Sequence, residues 1–122
     1  MKTSIPFLIA EISANHCGSF NLAKKLIKCA KINGANAVKL QTYTADTMTL
    51  KSNKKYFKIK NGLWKNYNLW NLYNEAHTPL SWHKQLFAYG KKLGITVFST
   101  PYDETAVDFL EKLKCPIYKI AS

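Results

Sequence analysis

The chain of 122 residues contains no arginine; all 18 of its basic residues are lysine. Nucleic-acid readers use arginine for bidentate base contacts and for stacking. Its absence counts against a sequence-specific DNA or RNA role. Cysteine is scarce too. Cys17, Cys29 and Cys115 make an odd count with no Cys-x-x-Cys. A disulfide framework and a zinc ribbon are both excluded by that pattern, which leaves reduced thiols. Cys17 is placed in a rim loop, where nothing marks out an activating base. Long apolar runs are also missing. Nothing approaches the ~18 residues that a membrane span requires. Pro6 and Glu11 interrupt the apolar N-terminal stretch, which is followed by no small-residue cleavage site. These features suggest a cytoplasmic protein with no membrane partner.

What is abundant is lysine, against seven acidic residues, for a net charge of +11. Ten asparagines and many Ile, Tyr and Phe accompany it, a mixture suggestive of nucleotide-composition bias. Most of this charge is expected to be solvated surface, with a weak attraction for anionic metabolites.

The apolar pattern alternates strand and helix. Strands are expected at 7–13, 37–42, 95–100 and 117–122. Between the first two, Leu22, Leu26, Ile27 and Ala30 recur at helical spacing. Ser19 or Asn21 can cap that helix and Gly34 can end it. The lysine-rich segment 43–67 breaks the rhythm and carries an Asn61-Gly62 turn signal. Loops of that length are functional or disordered. A short helix is expected at 69–77. Thr78-Pro79 offers a hydroxyl cap with proline at the first position of the next helix, with Leu80, Leu86, Tyr89 and Leu93 inward and Gly94 as its stop. Asp103 can cap a last helix bearing Val107, Leu110 and Leu113. Repeated βα units imply a parallel sheet with right-handed crossovers. A closed (β/α)8 barrel needs about 250 residues, so the expected fold is the first half of a TIM barrel, about four strands with their helices. A complete four-stranded doubly wound domain is the alternative. An open half-barrel would expose two sheet edges, an aggregation hazard.

A buried parallel strand should be apolar throughout. The exceptions here are Glu11, Lys39, Gln41, Thr100, Lys119 and Ser122, near the C-terminal strand ends. In α/β folds that edge binds ligands. Lys39 and Gln41 share one strand face. An interior lysine costs several kcal/mol of desolvation unless paired. A bound phosphate or carboxylate would pair it; so would a structural ion pair with Glu11. Lys119 repeats the arrangement, and Thr100 adds a hydroxyl. Together they point to a phosphorylated or polyanionic small molecule. Two competing readings remain: a class I aldolase-like lyase with Lys39 or Lys119 as Schiff-base nucleophile, and a basic polyanion-binding module. His77 and His83 lack helical i, i+4 spacing, which argues against a metal site. Trp64, Trp70 and Trp82 are expected to pack in core or loop.

Taken in order, Ile9-Ala10-Glu11-Ile12, Asn15-His16-x-Gly18, Val38-Lys39-Leu40-Gln41-Thr42, Ser99-Thr100-Pro101 and Tyr118-Lys119-Ile120-Ala121-Ser122 resemble the sialic acid synthase family over essentially the whole chain. The middle is similar to the pseudaminic acid synthase branch, through Gln41-Thr42-Tyr43-Thr44, Gly62-Leu63-Trp64, Leu72-Tyr73-x-Glu75-Ala76-His77-Thr78-Pro79 and Trp82-His83. Sialic acid synthases proper tend to have His where this chain has Leu40. The resemblance implies a homodimeric transferase that condenses phosphoenolpyruvate with an acetamido-sugar aldehyde, releasing phosphate. The sugar is a 2,4-diacetamido-trideoxy sugar or an N-acetylmannosamine-like one, and Mn2+ or Mg2+ polarises the aldehyde. It implies that Lys39, Thr100, Lys119 and Ser122 bind phosphoenolpyruvate, that Gln41 contacts the sugar, and that Glu11 is the catalytic carboxylate. The family's metal-binding histidines, a further active-site Glu and a C-terminal antifreeze-like domain have no counterpart here. His16, His77 and His83 do not align with the metal ligands, and the 122 residues alone are expected to be inactive.

Overall fold

The computed structural model describes residues 5–121. Three parallel strands, β1 (Ile9–Glu11), β2 (Ala37–Thr42) and β3 (Thr96–Pro101), form one sheet in that order. Helix α1 (Phe20–Ile32) connects β1 to β2. Helices α2 (Ala45–Met48), α3 (Leu69–Ala76) and α4 (Leu80–Leu93) lie between β2 and β3, and α5 (Glu104–Lys112) follows β3. The register pairs Glu11 with Lys39, and Gln41 with Thr100. All three strands therefore end at one rim, from which the connecting loops leave.

Local chemistry accounts for most of the boundaries. Ser19 accepts a hydrogen bond from the Leu22 amide and caps α1. Asp103 accepts from the amides of Thr105 and Ala106 and caps α5. Gly94 ends α4 at φ 68°, in the left-handed region that glycine enters freely. Gly62, at φ 84°, makes the turn expected from Asn61-Gly62. That turn folds part of segment 43–67 back on itself, with the Ile59 amide donating to the Tyr67 carbonyl at 2.9 Å and a bridge between Lys58 and Asn68.

The core lies between the sheet and the helices. Ala23 and Ile27 of α1, Val38 and Leu40 of β2, Leu86 of α4 and Val97 of β3 form its main cluster. Alternation along β2 buries Val38, Leu40 and Thr42 and leaves Lys39 and Gln41 half-buried. Gly90 lets α4 sit directly on β3. A Cβ there would lie 2.2 Å from Val97 Cγ2 and 3.0 Å from the Ile95 carbonyl oxygen.

Four expectations are corrected. The fourth strand is reduced to a single parallel bridge between Ser99 and Tyr118, with the Lys119 amide donating to the Ser99 carbonyl at 3.3 Å. Among the described residues it has a partner on one side alone, and Ile120 is 81% exposed. Segment 43–67 is also not featureless. Thr44 and Thr47 form a reciprocal cap that starts α2, and residues 55–57 make a 3-10 turn. Thr78 does not cap α4: its hydroxyl, buried, bonds His16 Nε2 at 3.2 Å. Leu80, expected inward, is partly exposed, and α5 buries Ala106 and Leu110.

Two buried histidines tie the rim to the helices. His16 Nδ1 accepts from the Gly18 amide at 3.1 Å, so Nε2 carries the proton donated to Thr78. His83 Nδ1 donates to the Pro79 carbonyl at 3.2 Å, so Nε2 accepts from Thr42 Oγ1 at 2.8 Å. Thr42 Oγ1 in turn lies 2.6 Å from Ser99 Oγ and accepts its proton. Burial depresses both imidazoles. His16 lies below its ordinary value, and His83 falls to about 4.

Two measurements follow. Gly90→Ala should lower unfolding free energy by about 1–3 kcal/mol, because Val97 and the Ile95 backbone must give way; a urea titration reads this out. The depressed histidines set the pH response. Below pH 6.5 the unfolded chain protonates imidazoles that the folded chain keeps neutral, so stability should fall as pH drops from 6.5 toward 4 and level off below. At about 1.4 kcal/mol per pKa unit, the His83 contribution is roughly 3 kcal/mol. Denaturation of His83→Gln across that window should show a flatter profile than the unmodified chain.

Candidate active site at the strand rim

The three strand ends bring Glu11, Lys39, Gln41 and Thr100 together. Lys39 is held at mid-strand with its side chain 12% exposed, beside Glu11 at 42%. Its ammonium forms an ion pair with Glu11 Oε2 and donates to Thr100 Oγ1 at 3.2 Å. The register that pairs Glu11 with Lys39 makes this pairing a consequence of strand alignment. The other Glu11 oxygen accepts from the Ser13 amide at 3.0 Å. Both carboxylate oxygens are thus engaged, and an ammonium with three donors has spent two.

Gln41, two residues further along β2, is held at both ends of its amide. Nε2 donates to Tyr102 Oη at 2.7 Å, and Oε1 accepts from Ser13 Oγ at 3.0 Å. Beside it opens a cavity of about 370 Å3, whose walls include Ser13, Tyr43, Trp64, Tyr73 and Tyr102. Tyr43 packs edge-on against Tyr73 at 5.8 Å and against Tyr102 at 5.5 Å between ring centroids. Burial and the neighbouring phenols raise the Tyr43 hydroxyl to about 12, so it stays a neutral donor.

Lys119 is exposed, beyond the Ser99–Tyr118 bridge. The Tyr118 hydroxyl donates to Glu111 on α5. Ser122 lies outside the described residues. Sequence reasoning treated the aromatic residues as packing and passed over Ser13, Tyr43 and Tyr102 as cavity walls. A signal was present in position: Tyr43 and Tyr102 each directly follow a strand end.

Among the described residues, no group of three or more His, Cys, Asp or Glu side chains lies close enough to hold a metal ion. His16 and His83 are committed to buried hydrogen bonds in the fold. The residues described here therefore do not compose a divalent-metal site. No helix among them is long and apolar enough to cross a membrane.

The NeuB family model matches residues 26–122. Pseudaminic acid synthase of Helicobacter pylori is 49% identical over 117 residues, which cover 96% of this chain and 34% of that protein. Pseudaminic acid synthase of Campylobacter jejuni is 50% identical over 116 residues, covering 95% and 34%. The chain thus spans about a third of the length of these curated relatives. Among solved structures, the N-acetylneuraminic acid synthetase of Leptospira borgpetersenii, in complex with citrate, superposes with a TM-score of 0.77 at 29% identity, covering 96% of this chain and 36% of that one. Its strands and helices form part of a TIM barrel, and this chain belongs to the NeuB family.

Proposed function

We propose that the rim of this chain is the phosphoenolpyruvate-binding part of a pseudaminic acid synthase-type active site. The observation that carries the reading is Lys39. It is a largely buried ammonium in the middle of a parallel strand, paired with one carboxylate and one hydroxyl. Its third donor is available to an anion. Thr100 stands at the same edge, and Lys119 follows the Ser99–Tyr118 bridge beside it; a phosphate or carboxylate would accept from all of these. Ser122 would extend the set.

On this reading C3 of phosphoenolpyruvate attacks the aldehyde carbon of an acetamido sugar. Water adds at C2, and the C2–O bond breaks to release phosphate, giving a nonulosonic acid. Lys39, Thr100 and Lys119 hold the anionic groups. Glu11, with both oxygens engaged by Lys39 and the Ser13 amide, orients Lys39 at the reacting centre. Gln41, fixed between Tyr102 and Ser13, meets the sugar. The pseudaminate branch would use a 2,4-diacetamido-trideoxy sugar. The whole enzyme would be a cytoplasmic homodimer, for which the unpaired thiols of Cys17, Cys29 and Cys115 are suited.

The Schiff-base alternative loses ground at the same residue. A nucleophilic lysine must present a free amine, whereas Lys39 is tied to Glu11 and Thr100.

Titration of the chain with phosphoenolpyruvate, followed by 31P line broadening, tests the proposal. Binding should be measurable and should weaken at least about tenfold in Lys39→Met, from loss of a charge-assisted pair. Unchanged affinity in that variant would remove Lys39 from the anion site.

A further inference from the structure

A second concavity lies at the opposite end of the sheet from the rim. It is lined by residues 36 and 94–97, at the starts of β2 and β3, and is walled by α4 and by the turn that follows α5. At about 640 Å3 it falls within the usual range of small-molecule sites. Phe87, Val97 and Leu113 contribute apolar surface, and Lys84, Lys91 and Lys114 are its charged residues. Among the described residues, no Asp or Glu lines it.

The positive charge of this groove is unquenched. All three lysines are exposed, and among the described residues none forms an ion pair. The last carbonyls of α4 would supply a negative pole, but they are already engaged. The Gly94 amide donates to the Gly90 and Lys91 carbonyls, and Lys31 Nζ donates to the Gly94 carbonyl at 2.8 Å. Lys114 stands at φ 54°, in the left-handed region where glycine ends α4. A side chain strains the backbone there, and this one adds an ammonium to the groove. Lys84 and Lys91 lie two turns apart on one face of α4, about 10 Å along its axis.

Inorganic phosphate here would leave the apolar wall in water, and a neutral apolar molecule would leave the ammoniums without an anion. From this juxtaposition of three lysines with Phe87, Val97 and Leu113, we infer that the groove between α4 and α5 is a second ligand site, for a small aromatic phosphate. The ring lies against Phe87, Val97 and Leu113. The phosphate accepts from Lys91, in the last turn of α4, and from Lys114, just after α5. Lys84 meets a polar group at the far side of the ring. This site is separate from the rim and does not depend on what the rim binds.

Titration of the 15N-labelled chain with 1-naphthyl phosphate, followed by amide shifts, tests the assignment. Shifts should centre on residues 84–97 and 113–116. Affinity should exceed that for inorganic phosphate or 2-naphthol by about tenfold or more, because one ligand joins both sets of contacts. Ala88→Glu, at an exposed position in the wall, sets a carboxylate among the lysines and should weaken binding about tenfold, the scale of one charge-assisted hydrogen bond. The double variant Lys91→Gln, Lys114→Gln should weaken it at least as much and flatten its salt dependence. The control Lys58→Gln, Lys60→Gln removes equal charge elsewhere and should leave affinity unchanged. Naphthyl phosphate bound no better than its two halves, equal weakening by the two double variants, shifts centred on Lys39 and Gln41, or displacement by phosphoenolpyruvate would each overturn the second site. Loss of phosphoenolpyruvate binding with naphthyl phosphate still held at residues 84–97 would overturn the rim reading alone.

Discussion

The parallel pairing of β2 with β3 is the constraint on which the rim depends. Six residue pairs, from Ala37–Thr96 to Thr42–Pro101, are locked in register. A slip of one residue would exchange strand faces. Lys39 and Gln41 would then point into the helix layer, and Val38, Leu40 and Thr42 would lose their place against α1 and α4. Burial of the apolar face therefore enforces the presentation of the polar one. The hydrophobic core and the site are two sides of one alignment.

The helix-side face adds a second anchor. Thr42 ends β2 and Ser99 lies within β3, and the two hydroxyls meet in a buried chain that runs through His83 to the start of α4. Each donor and acceptor in it is matched, which suits a low-dielectric interior. Thr42 stands between Gln41 and Tyr43, so this chain fixes the backbone from which the cavity's amide and one of its aromatic walls project. His16 performs the comparable task for the turn after β1, by joining the Gly18 amide to Thr78 at the approach to α4.

Much of this was legible in the residues. The bounds of β2 follow from an apolar run broken by Lys39 and Gln41, and those of α1 and α5 from the caps Ser19 and Asp103, because these signals act over a few residues. Glu11, Lys39 and Thr100 stood out as polar groups in apolar strands, and their meeting follows from register. Less legible were features made by contact at a distance. Thr78 looks like a helix cap beside Pro79, yet its hydroxyl goes to His16, 62 positions away in sequence. His83 was read for its spacing to His77 alone, since nothing local reveals that Thr42 will meet its ring. Trp64 read as packing, since it becomes a wall beside Gln41 through the folding of segment 43–67, while Tyr102 reaches Gln41 through the β2–β3 register.

The order of strands and helices, the face of each strand turned to the core and the kinds of side chain at each strand end were determined by the amino-acid sequence, because periodicity, capping and chain stereochemistry are local. Which of those side chains pair, and how they divide the rim into a charged half around Lys39 and an uncharged aromatic half beside Gln41, was decided by tertiary structure. That division requires groups dozens of residues apart to share one low-dielectric space, where the pairing of each polar atom depends on which other segment reaches it.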